Sequence, residues 1–187
     1  MDEFSYLSVL LSIIIGLAVT QLLTGMRGQM LGRERVRGFW PTQVWAGVLL
    51  LVCTQTWWAM FGLRSRQEWD FSNFAILLAQ TIALYLLTGL VYPDFSPDRE
   101  VDLRAHYFAQ RRHFFSLSLA ATAVSLGRDL ILHHKLPEPM NLGFHLFWAA
   151  CAVSGLMIAR EGYHKVLALL APVTFVSYVA FLFSRLM

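Results

Sequence analysis

At 187 residues, 57% hydrophobic and only 14% charged, with a mean hydropathy of +0.53, the chain lies far from the roughly 25% charged usage of soluble domains, which excludes a soluble fold. The formal net charge of +3 is small, and no dense basic run interleaves with stacking aromatics, so nucleic acid is excluded as a partner. The class that remains is a polytopic membrane protein whose main partner is the lipid bilayer.

A bilayer span needs about 20 mostly apolar residues, and residues 6–26, 42–63, 71–92, 114–132, 142–159 and 166–184 each supply one. The longest connections, 27–41 and 93–113, are too short for a soluble domain. Residues 1–187 are therefore expected to form a single transmembrane domain, an all-α bundle of six transmembrane helices. The start Met-Asp-Glu-Phe lacks the basic residues of a secretory signal, and no small-residue cleavage site follows, so the first helix is expected to be retained. Within it Ser8, Ser12, Gly16, Thr20 and Thr24 recur every fourth residue. In a helix they form one narrow face on which a second backbone can approach closely, and in lipid such contact drives helix association. This ladder is the expected packing interface of the first helix.

Arg27, Arg33, Arg35 and Arg37 follow as a basic collar suited to anionic headgroups. Gly25, Gly28 and Gly32 make no phosphate-binding signature, since no Gly-Lys-Ser/Thr follows them. Trp40-Pro41 opens the second span, with Pro tolerated in a first turn and Trp suited to the interface. Near its other end come Gln55, an amide that needs a partner in hydrocarbon, and Trp57-Trp58, which read as interface anchors. Asp70 is placed to cap the third span. Gln80 falls near that span's middle, where a polar side chain faces protein or water instead of lipid.

Ser96-Pro97-Asp98 has the order of N-cap, first-turn Pro and acid. It predicts a helix start there, either an interfacial helix or an extension of the fourth span. Asp94, Asp98 and Asp102 have a spacing that would suit a hard cation, but Arg99 and Arg104 among them favour ion pairing, and no metal site is expected. Arg128-Asp129 closes the fourth span, ahead of His133-His134-Lys135. Asn141 reads as the cap of the fifth span with His145 one turn in. Pro172 should kink the sixth span, which carries Tyr178 beyond it.

Arg27, Arg33, Arg35, Arg37, Arg99, Arg104, Arg111, Arg112, Arg160 and Lys165 follow the first, third and fifth spans, ten of the 15 cations. Arg64, Arg66, Arg128, Lys135 and Arg185 lie on the other side. The positive-inside rule then places both termini on the non-cytoplasmic face of the cell's inner (plasma) membrane. Cys53 and Cys151 fall within spans, where a thiol behaves as a small apolar residue, and neither a disulfide nor a Cys/His zinc spacing is expected. The halves 1–93 and 94–187 match at Ser8/Ser116, Leu11/Leu119, Trp45-Ala46/Trp148-Ala149, Thr81/Thr174 and Tyr85/Tyr178. With an odd number of spans per half, such a repeat would be inverted, an arrangement that recurs in transporters and channels. Chance matching in an apolar alphabet is the competing explanation.

Gln55, Gln80, Arg128, Asp129, His145 and Tyr178 form the expected polar intramembrane cluster, and intramembrane charge is a functional-site hypothesis by default. Arg128 and Asp129 are adjacent, about 100° apart on a helix, and are expected to find separate partners. Arg128 would reach the headgroups along its stem, and Asp129 a donor such as Gln55, His145 or Tyr178. This favours a small channel or transporter for an ion or small solute. The alternative is a non-catalytic structural or regulatory subunit of a larger membrane complex, and a homo-oligomer or membrane-complex partner is expected. No Ser/His/Asp set, HExxH or nucleophile elbow points to an enzyme. His106, His113, His133, His134, His145 and His164 cluster near the interfaces, whereas haem between spans needs histidines at depth on facing helices, so no cofactor is expected.

Overall fold

A computed structural model describes residues 3–32, 35–64, 69–95, 100–133 and 137–184. Its helices are α1 (Glu3–Leu31), α2 (Trp40–Phe61), α3 (Phe71–Gly89), α4 (Leu103–His133), α5 (Pro139–Met157) and α6 (Glu161–Ser184). All six are long and apolar enough to cross a bilayer, which makes this a multi-pass membrane bundle. Two short strands, β1 (Val36–Arg37) and β2 (Val101–Asp102), pair in parallel and tie the α1–α2 connection to the α3–α4 connection. They mark the strand end of the bundle. The start of α1 and the end of α6 lie at the opposite, terminal end.

The helix limits have local causes. Pro41 occupies the first turn of α2, where its missing N–H has no intrahelical partner to lose. Asp70 Oδ1 accepts the Asn73 backbone N–H at 2.7 Å and caps α3, as its position in the sequence predicts. The start of α4 differs from the one expected at Ser96-Pro97-Asp98. Those three lie outside the described residues, Val101–Asp102 is a strand, and Asp102 Oδ1 accepts the Ala105 N–H at 2.9 Å to make the cap. With 31 residues, α4 is about 46 Å long at about 1.5 Å per residue, against roughly 30 Å of hydrocarbon. Its first turns therefore project at the strand end as an extension of the fourth span. Asn141 lies inside the first turn of α5 instead of capping it, the cap position being Glu138. Pro172 is accommodated within α6, which continues on both sides of it.

Neighbouring helices pack in the order α1, α3, α4, α5, α6, α2 and back to α1, a closed ring, with α2 also touching α3 and α4 across it. The two halves of the chain pack differently. In the first, α1 lies along α3, whereas in the second α4 lies along α5 and α6 leans on α2. Trp57 and Trp58 are exposed on the outside of α2, as interface anchors should be.

The buried stripe of α1 is Leu11, Ile15, Ala18, Leu22 and Gly25, alternating steps of four and three that keep one helix face inward. The small-residue ladder lies round from it. Gly16, Thr20 and Thr24 are exposed and Ser8 and Ser12 half-buried, and a Cβ on Gly16 would meet nothing within 4 Å. The ladder is thus not the face on which α1 packs in the ring. Part of the reason is that its hydroxyls are satisfied within the helix, Thr20 donating to the Gly16 carbonyl at 2.8 Å. Close approach to α1 occurs instead near the strand end, where Gly25 lies under the ring of Tyr92 and Gly28 under that of Phe95. Beside this groove the Thr88 hydroxyl donates to Gln21 Oε1 at 3.0 Å, joining α3 to α1.

Gly25→Ala drives a methyl into the Tyr92 ring and should cost about 1–3 kcal/mol. Gly16→Ala meets open space and should be neutral or stabilising by up to about 1 kcal/mol, the helix-propensity difference. Thermal unfolding in detergent compares the two, and equal midpoints would show that the glycine groove is not the close contact.

Candidate functional site

A partly open cavity of about 220 Å³ lies within the ring, with walls supplied by α2, α3, α4, α5 and α6. Five residues of the expected polar cluster, Gln55, Gln80, Arg128, His145 and Tyr178, line this one space. Asp129 does not. It lines an adjoining cavity of about 90 Å³ whose wall shares Thr56, Gln80 and Arg128 with the larger one.

Towards the strand end the wall is aromatic. The Trp45 ring stands edge-on to Phe114 and Phe115, with centroids 5.2 and 5.8 Å away, and 6.5 Å from Trp148. Behind this floor Arg111 and His164 hold the junction between α5 and α6. Helix α5 ends with carbonyls that have no intrahelical donor. Arg111 Nη1 donates to three carbonyls there, those of Gly155, Leu156 and Ile158, at 2.8, 2.9 and 3.1 Å. A fixed cation at a helix C-terminus also meets the negative end of the helix dipole. His164 is fully buried. Its Nε2–H donates to the Ile158 carbonyl at 2.7 Å, which leaves Nδ1 to accept the Tyr107 hydroxyl at 3.0 Å. Arg111, expected among the connection cations, and His164, expected as an ordinary interface residue, are instead both buried at this junction. The available signal was the spacing of Tyr107 and Arg111, four apart on an extended α4, which puts both on one face.

Towards the terminal end the polar groups satisfy one another. The His145 Nδ1–H donates to the Asn141 carbonyl at 2.9 Å, and Nε2 then accepts the Ser125 hydroxyl at 3.0 Å. Tyr178 donates to Asn141 Oδ1 at 3.4 Å and packs its ring 5.0 Å from Phe144. These bonds go to partners other than Asp129. The expectation of separate partners for the two adjacent charges is overturned: Arg128 Nε and Nη2 lie 3.3 and 3.1 Å from Asp129 Oδ1. Their Cβ atoms diverge, but the arginine stem is long enough to wrap around the helix, and a carboxylate at hand in a low-dielectric site outcompetes distant headgroups. Arg128 is accordingly a cavity-wall residue more than an anchor.

Two buried polar atoms of wall residues, Trp45 Nε1 and Gln80 Oε1, are left without a hydrogen-bond partner among the described residues. Gln80 is only 8% exposed. The Cys151 thiol is free on the cavity wall, and the free Cys53 thiol is buried away from it. Among the described residues no three His, Cys, Asp or Glu side chains are grouped to hold a metal ion. Asp102 is occupied by the α4 cap, and Asp98, His134 and Lys135 lie outside the described residues. No protein-family model, curated protein or solved structure matches the chain.

Removing one member of the Arg128–Asp129 pair leaves the other charge unpaired at low dielectric. Arg128→Gln and Asp129→Asn should each lower stability by about 1–3 kcal/mol, and the double variant should recover much of the loss. The double-mutant cycle is read by thermal unfolding in detergent. Simple additivity would show that the two side chains act separately.

Proposed function

We propose that this protein is a small membrane transporter whose central cavity holds a small solute. The supporting observation is convergence: side chains from five helices of a closed ring surround one space, polar towards the terminal end and aromatic towards the strand end. Polar groups in a membrane interior face protein or a solute path instead of lipid, and these face the cavity. In this arrangement the Trp45, Phe114 and Phe115 floor is the barrier on the strand side, and the Arg111 junction behind it is structural.

Orientation follows from charge. Arg35, Arg37, Arg104, Arg112, Arg160 and Lys165 all belong to the strand end, so that end is cytoplasmic by the positive-inside rule and both termini are not. A reporter fused after Met187 should be active only on the periplasmic or extracellular side, and a cytoplasmic signal would reverse the assignment.

Transport is tested in proteoliposomes by stopped-flow swelling with a panel of small solutes. Ala121 is a buried residue on the cavity wall, and Ala121→Phe places a ring in the cavity. Flux should exceed that of protein-free vesicles and fall at least tenfold in the variant. The second reading, a structural or regulatory subunit, is favoured by the uncovered Gly16, Thr20 and Thr24 face of α1, which suits a second copy or a larger complex. No flux above the blank, with obligate co-purification of another membrane protein, would decide for it.

A further inference from the structure

We infer that Ser125 and His145 are a nucleophile and its general base, and that the cavity cleaves a small ester with an apolar acyl group. Hydrogen bonding singles out this serine. Along the cavity wall of α4, Ser118 donates to the Phe114 carbonyl at 2.8 Å and Thr122 to the Ser118 carbonyl at 2.9 Å, the back-bonding by which a helical hydroxyl satisfies itself. Ser125, on the same wall, turns instead to α5 and lies 3.0 Å from His145 Nε2. His145 Nδ1 lies 2.9 Å from the Asn141 carbonyl. A carbonyl only accepts, so Nδ1 carries the proton and Nε2 is left as the base. A hydroxyl within reach of a base that a third group orients is the arrangement of an activated nucleophile.

A donor for developing negative charge stands one turn on. Arg128 follows Ser125 by three residues, a spacing that puts both on one face of α4, and both line the cavity. Its Nε and Nη2 meet Asp129, while Nη1 has no hydrogen-bond partner among the described residues and is left to stabilise an oxyanion formed beside Ser125. The reaction consumes only water. Ser125 Oγ bonds to the acyl carbon of the ester as its proton passes to His145 Nε2, and the negative charge goes to the carbonyl oxygen. The C–O bond to the alcohol then breaks, the alcohol oxygen takes the proton from Nε2, and an acyl-serine remains. Water next gives a proton to Nε2 and its oxygen to the acyl carbon, and the proton returns to Ser125 Oγ as the acid leaves.

Chemistry and shape set the substrate class. The Asn141 carbonyl orients the imidazole but lacks the full charge with which a carboxylate holds an imidazolium, which favours an ester with a good leaving alcohol over an amide. Trp45, Phe114 and Trp148 line the cavity towards the strand end. An engineered apolar cavity of roughly 150 Å³ holds benzene, so this one of about 220 Å³ takes an acyl group of that size with room for the ester linkage.

The full chain in nanodiscs is treated with an alkynyl fluorophosphonate, whose fluoride a base-activated serine displaces, and the labelled residue is mapped by mass spectrometry. Hydrolysis of p-nitrophenyl butyrate is followed in parallel against empty nanodiscs. The label should fall on Ser125, and hydrolysis should exceed the blank. Ser125→Ala should lose both, and His145→Gln should slow both by about 10²-fold or more, the usual worth of a general base. Ser177→Ala, at an exposed α6 serine that back-bonds to Val173, should change neither. No label on Ser125 in the unaltered chain would overturn the inference whether or not any variant folds. So would hydrolysis no faster than the blank, hydrolysis that survives Ser125→Ala, or labelling of Ser125 that is as fast in His145→Gln. The transport reading fails separately: label and turnover with no flux in vesicles would remove the transporter alone, whereas flux blocked by Ala121→Phe with no label on Ser125 would remove the ester hydrolase alone.

Discussion

A carbonyl in hydrocarbon has no water to turn to, so a chain can leave a helix inside a membrane only where something else accepts the cost. A carbonyl buried in protein has the same need, and here it arises at the strand-end turn between two spans, Met157 to Glu161, where α5 stops, Ile158 is extended and α6 begins. One guanidinium resolves it. Arg111 reaches three of the carbonyls, and His164 holds the Ile158 carbonyl as well. Because Arg111 belongs to α4 and His164 to α6, closing the end of α5 also fixes the relative depth of three helices. Phe115, four residues beyond Arg111, is thereby set against Gly155 and Trp45, and the floor of the cavity depends on the same junction. The exposed ion pairs nearby, Arg104 and Lys165 to Glu161 at 2.7 Å each, are worth far less in water.

The division of polar groups within the ring has a similar logic. Three hydrogen bonds join Ser125, His145, Asn141 and Tyr178, and such a set fixes side-chain geometry without needing a guest. Arg128 and Asp129 neutralise one another across the boundary between two cavities. Shape and rigidity thus come from the groups that are paired.

The six spans, the Asp70 cap and five members of the polar set, which line one cavity while Asp129 lines the next, were legible in the sequence, because hydropathy, local capping geometry and the rarity of amides and charges in apolar runs are local signals. Neighbour order was not. A span is apolar all round, so the stripe Leu11, Ile15, Ala18 and Leu22 reads no differently from the lipid-facing Ile13 and Leu17. The small-residue pattern pointed to close approach on α1, but Gly25 lies off the ladder, about 180° round the helix from Gly16, and what marks its face as the packed one is the arrival of Tyr92 from far along the chain. For Arg128 the sequence shows the direction in which the side chain starts but not how far round the helix it reaches. Arg111 is no more legible, because an arginine near a span end looks the same whether it meets headgroups or a helix terminus.

The nesting of Tyr92 in the glycine groove links two positions 67 residues apart. Since the ring occupies the volume of the missing Cβ, neither position can change size alone without a clash or a void. Viable variation there is pairwise: a side chain can return at position 25 only alongside a smaller residue at position 92. Gly28 and Phe95 obey the same rule one turn further on. Across diverging sequences that kept this fold, the two pairs would leave a record of compensated exchange, while Gly16, with nothing above it, would drift freely unless a second chain covered it.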